Sequence, residues 1–125
     1  MNVIRYFWPA FGWAIFILFI CNASLGEVSD SPMFFEGFDK LTHTGLFFVQ
    51  TVFIIYGLQK IYGKLNFIAG FFVGLCSIAF GALIEVLQIY VFTWRSGEWA
   101  DLFCDGVGIG MALFAACILQ WGLKR

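Results

Sequence analysis

The sequence predicts an all-α membrane protein, a compact bundle of four transmembrane helices that forms a single domain over residues 1–125. Hydrophobic residues make up 62% of the chain and charged residues only 12%, about half of the charged fraction typical of soluble domains. Four apolar stretches account for most of the chain, and each has the roughly 20 residues that a helix needs to cross about 30 Å of hydrocarbon. Apolar runs without alternation favour helices over barrel strands.

The four predicted helices occupy about residues 6–25, 40–59, 66–92 and 102–121. The first follows Arg5. Its apolar core is longer than that of a typical signal peptide and the residues around Ala23 fit a cleavage site poorly, so we expect it to remain as a helix. A short turn over Lys60–Asn66 separates the second helix from the third, and the fourth begins at Leu102 after the loop at 93–100.

The distribution of charge predicts the orientation. One side of the spans carries five basic residues and no acidic residue, whereas the other side carries all eight acids with only Lys40 and Arg95. By the positive-inside tendency, both termini are cytoplasmic. The net charge of −1 provides no basic surface for a phosphate backbone, so nucleic acid is excluded as a partner. The five basic residues are Arg5, Lys60, Lys64, Lys124 and Arg125.

Polar residues at the ends of the spans form three pairs, and a spacing of three or four residues places both members of a pair on one helical face. The helical rise puts His43, Glu85 and Asp105 at a similar depth, about 6 to 10 Å inside one side of the membrane. Small residues such as Gly81 and Gly108 continue two of these faces, which lets the helices approach closely and turns the polar groups toward the bundle interior. The pairs are Asp39 with His43, Glu85 with Gln88, and Asp101 with Asp105.

Four short motifs follow one another along the chain: D-K-x-x-H-x-x-x-F from Asp39, E-x-x-Q from Glu85, R-S-G-E-x-x-D-L from Arg95, and D-G-x-G from Asp105. In this order and spacing, over about residues 36–110, the chain resembles the VanZ-like family. The resemblance implies a small helical protein of the bacterial inner membrane and a link with resistance to the glycopeptide teicoplanin, without a known reaction. The family pattern has Asn where this chain has Asp105, so either one carboxyl is protonated or a basic side chain or cation compensates.

Three functions remain open. The first is an enzyme or binding protein for a lipid headgroup or lipid-linked cell-envelope precursor at the outer leaflet. The second is an assembly subunit whose polar layer fixes helix register, and the third is a small proton-coupled transporter that works as a homo-oligomer. For the first function, the catalytic candidates are Glu85 as general acid or base, His43 as its proton partner, and Asp101. The substrate-binding candidates are Asp39, Lys40, Gln88, Arg95 and Asp105.

These candidates also have structural explanations. Asp39, Lys40 and Asp101 can cap helix ends, and a lone histidine such as His43 is more often a hydrogen-bonded interior residue than a base. Glu85 is the most informative, because a buried carboxylate costs on the order of several kcal/mol unless it is paired or protonated. The acids and the imidazole are compatible with a divalent cation, but the sequence has no contiguous motif such as H-E-x-x-H, so we predict neither a metal nor a cofactor.

Overall fold

The structure, a computed structural model, describes residues 3–22, 38–90 and 99–123. Within these ranges the chain forms four helices and no strand: α1 spans Val3–Asn22, α2 spans Phe38–Tyr62, α3 spans Phe67–Tyr90 and α4 spans Trp99–Leu123. Each helix is long and apolar enough to cross a membrane, so the prediction of an all-α fold with four helices of membrane-spanning length is confirmed. The cytoplasmic location of the termini stays a prediction.

The helices differ from the predicted spans mainly at their polar ends. The second helix begins at Phe38 rather than at residue 40 and continues to Tyr62, and the fourth begins at Trp99 rather than at Leu102. Apolar length measures only the part of a helix inside hydrocarbon, whereas the hydrogen-bonded backbone continues into the polar interface. The first helix begins three residues earlier than predicted, and residues 23–25 and 91–92 of the predicted spans lie outside the described ranges.

The second helix is the centre of the bundle. It packs most extensively against α4 and also contacts α1 and α3, and it has the largest buried share of the four spans. All four helices supply side chains to the main apolar core, which therefore joins them into one unit. This core consists of Ile17, Leu46, Phe47, Ile84 and Ile109, and a second cluster of Ile55, Leu65 and Val73 lies toward the α2–α3 turn.

The turn between α2 and α3 contains only residues 63–66 and is held by local hydrogen bonds. Gly63 adopts a φ of +83°, a left-handed conformation that favours glycine, and donates its N–H to the Gln59 carbonyl at 2.8 Å. The Asn66 side chain then caps α3 by accepting a hydrogen bond from the Ala69 N–H at 2.7 Å. The two helices are thereby fixed as an antiparallel pair.

The same turn is tied to α4 through Gln120. Its Oε1 accepts the Leu65 N–H and its Nε2 donates to the Leu65 carbonyl, both at 2.8 Å. We expect Gln120→Leu to lower the free energy of unfolding by about 2 kcal/mol, because two backbone groups of a buried residue lose their partner. Titration of the purified protein with a denaturing detergent measures the change. Gln59→Leu is the control, since no hydrogen bond from the Gln59 side chain occurs within the described ranges; equal stability of the two variants would contradict the prediction.

Candidate functional site

Three ionisable side chains from three helices meet inside the bundle. His43 of α2, Glu85 of α3 and Asp105 of α4 are all buried, with exposed fractions of 1%, 0% and 0%. The His43 Nδ1 atom lies 3.0 Å from Asp105 Oδ1. One nitrogen or oxygen atom from each residue lies within 4.8 Å of the corresponding atoms of the other two. These three residues are called the buried cluster below.

The buried cluster lies close to one end of the bundle. His43 follows the start of α2 by five residues, Asp105 follows the start of α4 by six, and Glu85 precedes the end of α3 by five. At 1.5 Å per residue, each lies about 7 to 9 Å from its helix end. Because α3 runs opposite to α2 and α4, these ends coincide. One turn further into the bundle, Phe47 and Ile109 are buried in the main core, so the cluster lies between this core and the end of the bundle.

Two glycines make room for the buried cluster. A Cβ atom on Gly108 of α4 would overlap the carbonyl oxygen of Thr44, which shows how closely α2 and α4 approach beside His43. A Cβ atom on Gly81 of α3 would lie 2.8 Å from Asp105 Oδ2. Gly81 precedes Glu85 by one helical turn, so the absence of a side chain at this position lets the Asp105 carboxyl lie against α3 near Glu85.

Further hydrogen bonds fix the helices around His43. The hydroxyl of Thr44 donates to the Cys104 carbonyl at 3.2 Å, which gives α2 and α4 a second polar link beside the His43–Asp105 pair. On the other side of α2, the indole N–H of Trp13 donates to the Leu46 carbonyl at 2.9 Å. Neither contact was predicted from the sequence. The only signal for the first was the position of Thr44 next to His43, and the second had none, because a tryptophan within an apolar span is ordinary.

The hydrogen bond within the buried cluster constrains what His43 can do. A carboxylate can only accept, so when Asp105 is ionised the Nδ1 atom carries the hydrogen and donates it to Oδ1. The imidazole then has Nε2 as its second nitrogen, which can accept a proton. With Glu85 close by, the buried cluster has the parts of an acid–base centre and also the donors of a cation site.

The side chains of the remaining predicted site residues lie outside the described part of the structure. The backbones of Asp39 and Lys40 lie in α2, that of Gln88 in α3 and that of Asp101 in α4. Arg95 falls within 91–98, which the described ranges omit. The roles predicted for these five residues therefore stay predictions.

A second polar feature lies at mid-depth in the bundle. Gln50 of α2 and Ser77 of α3 are buried, and their Oε1 and Oγ atoms have no hydrogen-bond partner among the described residues. Both line a cavity of about 270 Å³ between α1, α2 and α3, together with the rings of Phe7, Phe11 and Phe80. The cavity is mainly apolar and contains neither His43 nor an acid, so it is distinct from the buried cluster.

No family model, curated protein or solved structure matches the chain.

Proposed function

We propose that the chain is a VanZ-like protein of the bacterial inner membrane that binds and acts on the headgroup of a membrane lipid or of a lipid-linked envelope precursor at the outer leaflet. The observation that carries this proposal is the burial of His43, Glu85 and Asp105 together at one end of the bundle. Ionisable groups within membrane spans are costly and are functional by default. Three of them, from three different helices, are harder to explain as isolated helix caps.

The position of the buried cluster favours a headgroup as the ligand. It lies about 7 to 9 Å from the helix ends, near the boundary between hydrocarbon and headgroups. In the proposed reaction Asp105 holds His43 in position, and His43 and Glu85 exchange protons with the bound headgroup. Lys40 and Arg95 hold its anionic group, while Asp39, Gln88 and Asp101 complete the site, as the sequence predicts. Resistance to glycopeptides would follow from an altered envelope precursor or lipid.

A structural role is the second candidate, and specific contacts favour it. The His43–Asp105 pair, the Thr44 hydrogen bond and the close approach at Gly108 all join α2 to α4. Buried polar pairs of this kind can fix the register of packed helices without any reaction. Under this explanation the buried cluster contributes to folding and the protein acts as an assembly subunit.

Glu85→Gln separates the two candidates. It keeps the shape of the side chain and removes its ability to exchange a proton, so we expect loss of complementation in a deletion strain with little change in melting temperature or membrane level. The readouts are envelope lipid composition and teicoplanin susceptibility. Ser77→Ala is the matched control, because it removes a buried hydroxyl without a hydrogen-bond partner among the described residues and we expect it to complement. Full complementation by the Glu85 variant would overturn the proposal, and loss of folded protein would favour the structural role.

A further inference from the structure

We infer that the buried cluster binds one divalent transition-metal cation, such as Mn²⁺ or Zn²⁺. The first argument is the burial of three possible metal ligands together. An imidazole and two carboxyls, supplied by three helices, are buried and lie close to one another. A divalent cation interacts favourably with carboxylates and with neutral imidazole, which are the deprotonated forms that metal ligands require.

The donor atoms suit this class of cation. His43 offers an imidazole nitrogen and the two acids offer carboxylate oxygens. Imidazole is a preferred ligand of the later divalent metals, whereas Mg²⁺ and Ca²⁺ prefer oxygen alone. Three protein ligands from nitrogen and oxygen also match the pattern of catalytic metal sites, in which the remaining positions are left open for water or substrate.

The distances are close to those of a metal site. Bonds of about 2.1 Å place neighbouring ligand atoms roughly 3.0 to 3.4 Å apart. His43 Nδ1 and Asp105 Oδ1 are already separated by 3.0 Å, so a cation that displaces the hydrogen between them can bind both atoms. All three donor atoms lie within 4.8 Å of one another, so Glu85 needs to move by only about 1 to 2 Å, which a side-chain rotation provides.

A bound cation also limits which headgroups could be the ligand, an assignment that rests on the proposed function. A cation with open coordination positions near the membrane boundary is suited to oxygen atoms of a phosphate or pyrophosphate. We therefore assign the headgroup to the phosphorylated class. In this form the first role of His43, Glu85 and Asp105 is to hold the cation, in place of direct proton exchange with the headgroup.

Cation binding is tested without any lipid substrate. The purified full chain in detergent is treated with EDTA and titrated with Mn²⁺, and free Mn²⁺ is measured by electron paramagnetic resonance, with Zn²⁺ as competitor. We expect one Mn²⁺ per chain, displaced by Zn²⁺, and binding at least about tenfold weaker in Glu85→Gln and in Asp105→Asn. Thr44→Val is the matched control, since it removes a hydrogen bond between the same two helices but no donor atom of the cluster, and we expect it to bind as the wild type does.

Two results would overturn the inference: wild-type protein without saturable binding below about 1 mM, or variants that bind as tightly as the wild type. If either variant fails to fold, the melting temperature of the wild type decides, because bound Mn²⁺ or Zn²⁺ must raise it and an unchanged value rejects the site. The outcomes for the proposed function are separate. If the wild type binds no cation but Glu85→Gln fails to complement, only the cation site is rejected. If the wild type binds the cation but Glu85→Gln changes neither envelope lipids nor susceptibility, only the headgroup function is rejected.

Discussion

Gly108→Ala is expected to destabilise the bundle by about 3 kcal/mol, near the upper end of the cost of overpacking. The added Cβ would overlap the Thr44 carbonyl oxygen and lie 3.1 Å from the Phe48 nitrogen. Both atoms belong to the backbone of α2, so no side-chain rotation relieves the contact. The two helices must separate, and the separation also stretches the 3.0 Å contact between His43 and Asp105.

Detergent-induced unfolding measures this loss, and a neighbouring glycine provides the control. A Cβ on Gly110, two residues further along the same helix, meets nothing within 4 Å. Gly110→Ala should therefore be neutral or stabilising by up to about 1 kcal/mol, because alanine is the better helix former. If the variants at 108 and 110 have equal stability, the close approach of α2 and α4 is not a determinant of the fold.

The second large effect is expected from separating the partners of the buried pair. Asp105→Ala removes the carboxylate from His43, and His43→Leu removes the imidazole from Asp105, each in a fully buried position. We expect either change alone to cost about 3 kcal/mol, because the group left behind loses its hydrogen bond in a medium of low dielectric. The double variant should regain much of the lost unfolding free energy, since neither the imidazole nor the carboxylate is left buried without the other.

A double-mutant cycle of unfolding free energies measures the coupling, for which we expect at least about 1 kcal/mol. Additive single effects would mean that the two side chains do not interact in the folded protein. The double variant also helps to assign the function. If it is as stable as the wild type yet fails to complement a deletion strain, the buried cluster is required for more than folding. If it complements, the structural explanation is favoured.

Much of the fold follows from local properties of the sequence, whereas the site depends on how helices are rotated against one another. The length of each apolar stretch is enough to predict four spans, and the helical rise is enough to place His43, Glu85 and Asp105 at one depth. Helical spacing predicts the pairs Asp39 with His43 and Asp101 with Asp105, each on one face of a single helix. The structure adds a contact between His43 and Asp105, which lie on two different helices.

The periodicity of one helix does not determine its neighbour or its rotation, so this contact was beyond prediction. Gly108 illustrates the same limit. A small residue on the polar face of α4 was expected to allow a close helix approach, but nothing in the sequence identifies Thr44 as the group that it meets. The helix ends were missed for a different reason, because hydrogen-bonded backbone continues beyond the apolar residues that marked each span.

The two polar attachments of α4 have a consequence for the order in which the protein is assembled. The four-residue turn at 63–66 makes α2 and α3 a hairpin, so they are suited to enter the bilayer together during synthesis, before α4 is complete. We expect His43 and Glu85 to enter with this hairpin, and α4, which follows in the chain, to bring Asp105 to His43 at one end and Gln120 to Leu65 at the other. In this order of assembly, the two ends of the bundle are joined to α4 only once that helix has been made.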